Sequence, residues 1–229
     1  MSGIQQMLTG GTYKAPGPTT IGQAFGGGFY AGKISTTANG VATHYLIVAP
    51  KASGETSGKT WGPTGTTTGQ TSLIDGPTNT ATEAALGSTY EAATFCNDLN
   101  AGAGLNGYKD WYLPAINELE VLYYFLKPTT DANSTSYGAN VNAVSPEPYN
   151  TNYTTSDPTQ TSATGTDGFR AGETNAFAAS TTSIRYWSSS EGTFQGYQYA
   201  EEKAFIQGYD GDRGKTVTNY VRAVRRVPV

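Results

Sequence analysis

The side chains able to do chemistry are few in this 229-residue chain, and they are scattered. There is one histidine, His44, and one cysteine, Cys96. A tetrahedral metal site draws on several such ligands, so none is expected. A hydrolase triad would have to use His44, and no serine lies in a Gly-x-Ser-x-Gly pattern. His44 sits at the head of an apolar run and Cys96 on the apolar face of a helical pattern. Both read as structural, since a buried thiol without a cationic neighbour stays protonated. Glu118 and Glu120 are close in sequence, but residues two apart on a helix do not face each other, so no acid–base pair is expected. Asp210-Gly211-Asp212-Arg213-Gly214 begins like a calcium loop. Gly214 and Val221 then stand where the next oxygen ligand and the closing glutamate are needed, so a tight turn is expected. Thr64–Gln70 and Gly26-Gly27-Gly28 contain glycines but follow neither a Walker nor a dinucleotide pattern. These residues support neither catalysis nor a cofactor, and the expectation is a protein that is not an enzyme and carries no metal.

The chemistry that remains is contact. Phe194, Gln195, Tyr197 and Tyr199 form one aromatic stretch, and Tyr209, Asp210, Asp212, Arg213 and Lys215 form another. Tyrosine among glycines and polar residues gives contact area and hydrogen bonds at low entropic cost. Aromatic faces beside carboxylates and amides also suit sugar rings. These nine residues are the candidate ligand-binding set.

Composition narrows the partners. Net charge is -4 and only 14% of residues are charged, which argues against nucleic acid, because phosphate binding needs a dense Lys/Arg surface. No apolar run approaches the roughly 18–20 residues that span a bilayer, so no membrane insertion is expected. The start, MSGIQQMLTGG, has neither a basic region nor an apolar core and does not read as a secretory signal. An aromatic content of 12% is too rich for a disordered chain.

The elements that must position these residues can be read in part. Residues 1–21 are polar and proline-broken, and are expected to be an attachment arm, with Ile4, Met7 and Leu8 as a small apolar contact. Residues 22–229 are expected to form one domain. Gly26–Ile34 and Thr43–Pro50 read as strands joined at Asn39-Gly40; Tyr45-Leu46-Ile47-Val48 is a continuous apolar run, which suits a strand buried on both faces. Ala52–Asn79 reads as a long loop around Trp61. A helix is predicted over about Thr89–Asn100 from Ala92, Phe95, Cys96 and Leu99. The most apolar stretch, Gly107–Lys127, predicts a short strand at Asp110–Leu113. A helix follows, with Pro114 in its first turn and Ile116, Leu119, Tyr123 and Leu126 on its buried face. Residues 128–184 are an aperiodic insertion, the kind of long loop that often serves binding or assembly. Arg185–Glu191 and Lys203–Ile206 read as short strands, Gly208–Lys215 as a loop between strands, and the last strand as about Asn219–Pro228.

The order of GGGFYAGKI, YLIVAPKASGE, GYKDWYLPAINELEVLY, YWSSSE and YVRAVRRV resembles the DUF1566 family, which includes the C-terminal domain of a Legionella collagen-like adhesin. DWYLPAINEL, YWSSSE and YVRAVRR carry most of this resemblance, which covers about Gly22–Val229. The resemblance implies an α+β, C-type-lectin-like domain, with two helices around a small twisted antiparallel sheet and long loop insertions. In it the N- and C-terminal strands lie side by side, and loops of the second half form the binding face. It implies structural roles for Trp111, Pro114, Glu118, Trp187, Arg222 and Arg225, with an arginine paired to Glu118, Asp110 or Glu191. The calcium-lectin signatures are absent, and a lone Cys96 allows neither lectin disulfides nor formylglycine-generating chemistry. The front of the chain resembles copies carried by tailed bacteriophages among virion genes. That implies a virion protein on the tail or capsid exterior: a tail-fibre or tail-tip adhesin, trimeric by analogy with fibres. Its partners would be a host surface glycan or protein and, through the arm, other virion proteins. The alternative is a capsid or tail decoration protein that binds no receptor.

Overall fold

In the computed structural model, residues 16–192 and 198–229 are described. Most of the expected arm, residues 1–15, lies outside them. The chain runs β1 (Ala24–Phe25), β2 (Gly28–Ile34), β3 (His44–Val48), α1 (Lys51–Gly54), β4 (Glu55–Thr60), α2 (Gly76–Ala85), α3 (Glu91–Asp98), α4 (Ile116–Leu126), β5 (Tyr186–Glu191), β6 (Tyr199–Lys203), β7 (Asp210–Gly214), β8 (Thr218–Arg222) and β9 (Val224–Pro228). The strands form a four-stranded sheet, β1-β2-β3-β9, and a five-stranded sheet, β4-β8-β5-β6-β7.

The α+β, lectin-like class with two helices around one small sheet is therefore incorrect. The described residues are β-rich and sandwich-like, with two curled sheets and four short helices. Three segments account for the difference. Glu55–Thr60 and Asp210–Gly214, read as loops, are edge strands, paired to β8 and β6 respectively. Edge strands with one exposed side tolerate Gly, Ser and Asp, which hides them from an apolar pattern. The final stretch, read as one strand, is two. β8 lies between β4 and β5, while β9 pairs with β3, so the chain changes sheets at the buried Ala223.

The first sheet is buried on both faces. Phe29, Ala31, Leu46 and Val48 pack with α4, while Tyr30 and Ile47 pack with Trp111, Trp187 and Val221. That is why β3 reads as unbroken apolar sequence. Helix α4 buries nine of its eleven residues. It begins at Ile116, so Pro114 precedes it rather than occupying its first turn. The Pro114 carbonyl instead accepts from the Ser189 N–H at 2.8 Å. Helix α2 was not expected, because the side it buries is Gly76, Asn79, Thr80 and Glu83 rather than an apolar stripe. Asp75 caps it, and a proline sits in its first turn.

The insertion at 128–184 contains no helix or strand, yet it is anchored by amides. The buried Lys127 ammonium, at the end of α4, donates to Asp131 O, to Asn133 Oδ1 at 2.6 Å and to Pro158 O at 3.4 Å. Asn133 Nδ2 donates to Thr154 O and Pro158 O, so one side chain joins both limbs of the loop. Asn140 Nδ2 bonds Asn117 O and Glu147 Oε1. Glu147 is buried, its second oxygen has no partner, and burial pushes its pKa up to about 8. A carboxyl raised in the folded state stabilises most below its ordinary value of 4.5, and that contribution is lost as pH rises to about 8. Unfolding by urea at a series of pH values should show it. Stability of the native protein should fall across that window, with this group contributing up to about 1.4 kcal/mol per pH unit. Glu147→Gln should have a flatter profile; parallel profiles would refute the assignment.

The three motifs that carry the family resemblance interlock. Asp110 and Arg225 form a two-pronged ion pair, at 2.6 and 2.8 Å. Glu118 accepts from the Tyr112 hydroxyl, the Ala115 N–H and Arg226. Arg222 pairs with Glu55 at 2.9 Å, a partner not anticipated. From YWSSSE, the Trp187 Nε1 donates to Lys59 O, and Ser190 Oγ accepts from Ile116 N and donates to Ser72 O. Glu191 is fully engaged. Lys215 and the Thr68 and Gly69 N–H groups donate to it, as do the Thr67 and Thr68 hydroxyls. The glycine-containing loop Thr64–Gln70 thus does cradle an anion, and the anion is the chain's own Glu191.

Candidate functional site

With those motifs consumed internally, the groups left for an outside partner gather at the β5–β6–β7 end of the second sheet. Three distant segments meet there. Arg185 precedes β5, Tyr209 precedes β7, and Tyr137 comes from the insertion. The Arg185 guanidinium lies 4.4 Å from the centre of the Tyr209 ring, and the Tyr137 ring meets Tyr209 edge-on at 4.7 Å. Tyr209 is 38% exposed, so the stack presents one aromatic flank to solvent. Burial, together with a hydrogen bond to Tyr209, raises the Tyr137 pKa above its usual value.

Strand pairing arranges the charges. In the β6–β7 register Glu201 faces Asp212 and Ala200 faces Arg213. Glu202 is buried and holds two arginines, with Arg213 at 3.3 Å and Arg185 at 3.7 Å, while Asn219 Nδ2 donates to it at 2.7 Å. Burial raises its pKa, and Asn219, Arg213 and Arg185 oppose that rise. Glu201, on the other side of the strand, is pushed up to about 7 by burial, then by Asp212 and Asp210. Asp212 is exposed and lies against Gly192, where a side chain would collide with its carboxylate.

The nine predicted contact residues are therefore dispersed. Tyr209 and Arg213 share this surface, whereas Asp212, next to Arg213 on β7, points to the opposite face with Glu201. Asp210 is half-buried and bound at 2.8 Å by Lys203, whose fully buried ammonium also meets Glu120 at 2.7 Å. Burial alone would lower the Lys203 pKa, but Asp210 and Glu120 outweigh it and hold the charge. Lys215 is not a surface residue: it is fully buried, paired to Glu191, and its ammonium sits 4.8 Å from the Trp61 ring. Tyr199 is half-buried on β6, opposite Gly214. Phe194, Gln195 and Tyr197 lie outside the described residues. The expected tight turn at Asp210–Gly214 is strand β7.

Tyr137, Arg185, Glu201 and Glu202 were missed. Only Glu201-Glu202 left a trace in the sequence, since adjacent residues of a strand point to opposite faces. Arg185 and Tyr137 reach the site through folding alone.

The other reactive side chains have internal partners or none. His44 Nδ1 lies 3.0 Å from Thr43 Oγ1, and burial followed by Arg226 lowers its pKa. Cys96 is fully buried, which raises its thiol well above the ordinary range. Glu118 and Glu120 serve separate sets of partners, Arg226 and Tyr112 for one, Lys203 and Tyr153 for the other. Among the described residues no group of three or more His, Cys, Asp or Glu side chains is placed to hold a metal ion, and no helix is long and apolar enough to cross a membrane.

Compared with known proteins, residues 55–225 match the family model of the Lcl C-terminal domain. That span runs from the first residue of β4 into β9 and includes every residue of the site above. No curated protein and no solved structure matches the chain.

Proposed function

The chain belongs to the Lcl C-terminal domain family, and from that premise we propose that it is an adhesin-type binding domain without enzymatic activity, working on the exterior of a bacteriophage particle. It takes a glycan or protein of the host surface on the Tyr137–Arg185–Tyr209–Arg213 surface. The observation that carries this reading is the division of labour in the molecule. The motif residues spend their charges and hydroxyls on one another, while the β6–β7 end offers an aromatic flank and a partly exposed arginine on one surface. Rigid aromatics and arginines are the side chains that dominate binding energy at interfaces. The collagen-like adhesin after which the family is named supports the general role. The phage-like front of the chain and the polar arm support the particle.

A decoration protein would bury its insertion between subunits. Here Asn133, Asn140, Tyr153 and Phe169 are buried within the chain's own domain, which favours the contact reading.

The test is binding of the purified, labelled chain to intact host bacteria, beside Tyr209→Ala with Arg213→Ala. The wild-type protein should bind saturably, and the double variant should bind at least about tenfold more weakly while remaining folded. Undiminished binding by a folded double variant would remove the site; no binding by a folded wild-type protein would remove the function.

A further inference from the structure

On the other face of the β6–β7 hairpin from Tyr209 and Arg213, three ionisable groups are shut in together. Lys203 on β6 and Asp210 on β7 are direct partners in the strand register, and Glu120 reaches them from α4. The Lys203 Nζ lies 2.8 Å from Asp210 Oδ1 and 2.7 Å from Glu120 Oε1. The Lys203 side chain has no exposure, that of Glu120 is 3% exposed and that of Asp210 is 21% exposed. The Tyr123 and Tyr153 rings close over the ammonium, with centres 5.0 and 5.4 Å away. The Tyr153 hydroxyl donates to the second oxygen of Glu120.

An ion pair alone does not require the third group. Two carboxyls surround one ammonium, so one of them is surplus to the pair. Burial, then the Asp210 carboxylate, raises the Glu120 pKa well above the ordinary carboxylate range. Glu120 is therefore a neutral acid, set against a lysine and an aspartate that already touch. The Lys215–Glu191 pair is different. Glu191 accepts from Lys215, two N–H groups and two hydroxyls, which fix it as a carboxylate and not an electrophile.

We propose that Lys203 and Asp210 condense into an intramolecular amide, with Glu120 as the proton shuttle. The Lys203 ammonium passes a proton to Asp210 along their hydrogen bond, leaving an amine beside a neutral acid. Burial penalises both ions and so brings this neutral pair within reach. The Nζ lone pair adds to Asp210 Cγ, and the carbonyl electron pair moves onto oxygen, which takes the Glu120 proton. Glu120 then accepts the surplus proton from Nζ. It hands that proton to one of the two hydroxyls on Cγ; this Cγ–O bond breaks and water leaves. The other hydroxyl returns a proton to Glu120 as the carbonyl re-forms. One Nζ–Cγ bond has formed, one Cγ–O bond has broken, nothing is oxidised or reduced, and Glu120 is a neutral acid again. Asp210 is the acyl partner because its partly exposed side chain gives the water an exit. Condensation is unfavourable between separate molecules in water, but groups held in contact reach effective molarities of about 10⁵–10⁸ M. β7 is the edge strand of its sheet, with Tyr209 and Arg213 beside and on it, so the bond fixes that edge covalently to β6.

The experiment is intact-mass spectrometry of the full chain, purified folded and then denatured, beside Asp210→Ala, Lys203→Met and Glu120→Gln. Corrected for the substituted side chain, the wild type should be lighter than each variant by one water. A protease digest of the wild type should contain a branched peptide joining the Lys203 and Asp210 side chains. Glu120→Gln replaces a neutral acid by a neutral amide, so it should stay folded by circular dichroism and yet remain unlinked. A wild-type chain of full mass overturns the proposal and leaves the three groups an ion triad only. An Asp-Gly step such as Asp210-Gly211 also loses water by closing on its own backbone. A deficit that persists in Lys203→Met, or that maps to a linear peptide, therefore overturns the proposal too, as does a branch at Glu120. A folded Glu120→Gln chain that links as completely as the wild type overturns the shuttle. The mass reads no binding, so failure here and failure of the adhesin reading give different results.

Discussion

Glu191→Ala should destabilise the domain by about 3–5 kcal/mol, a large share of the roughly 5–15 kcal/mol that holds a domain folded. Glu191 and Lys215 form an ion pair in which neither side chain has measurable exposure. Removing the carboxylate strands the Lys215 ammonium beside Trp61 and leaves the N–H groups of Thr68 and Gly69 without their acceptor. Burial tends to raise the Glu191 pKa, but Lys215 and those N–H groups outweigh it and hold it below the usual carboxylate range. A depressed carboxylate stabilises above its unfolded pKa, and its contribution is lost as pH falls through the folded one. Urea unfolding should therefore show a large drop in midpoint for Glu191→Ala at neutral pH, and a smaller one in acid. Glu191→Gln combined with Lys215→Met removes both charges and should recover much of the loss. A single variant within about 1 kcal/mol of wild type would show that the pair is not an anchor.

Arg222→Ala is the second large effect, again about 3–5 kcal/mol. The guanidinium is fully buried and joins three parts of the molecule. Nε donates to Ala49 O beside the first sheet, and Nη1 to Glu55 on β4 and to Asn175 O in the insertion. Its carbon lies 5.1 Å from the centre of the Phe177 ring. Arg222→Lys keeps the charge but not the fork, so it should recover only a minor part. Hydrogen exchange distinguishes an anchor from a simple packing loss. Amides near Ala49, in β4 and around Asn175 should lose protection together in the alanine variant. Loss confined to one of the three would refute the joint.

What the sequence made legible follows from where apolar residues do the work. β3 and α4 are buried over most of their surface by Leu, Ile, Val, Phe and Tyr, and they were readable. α2 and β4 were hidden because their contacts are made by Asn79, Thr80, Glu83 and Glu55, residues that any polar loop also contains. The insertion was hidden for the same reason: Asn133 and Asn140 organise it through hydrogen bonds that have no periodicity. The fold class went astray at Ala223, since nothing in YVRAVRRV signals that half of it belongs to each sheet. At the candidate site, Tyr209 and Arg213 were visible within a local cluster of contact residues, although Asp212 between them in sequence points to the opposite face. Arg185 and Tyr137 were not, because only the packing of the insertion against β5 and β6–β7 brings them to Tyr209. Lys215 carries the same residue type as a surface lysine, and only the cradle around Glu191 takes it inside.

The crossing at Ala223 bears on how the molecule carries tension. Gly17 packs tightly against the Tyr45 ring of β3, so the front of the chain leaves from the first sheet. The proposed contact surface is at β7, the far edge of the second. A pull between the two can travel β7-β6-β5-β8 and then β9-β3, where the peptide backbone through Ala223 is one covalent link between the sheets and the β3–α1–β4 connection is another. Force passes from one sheet to the other along a covalent tether, not only across a packed interface that could peel apart.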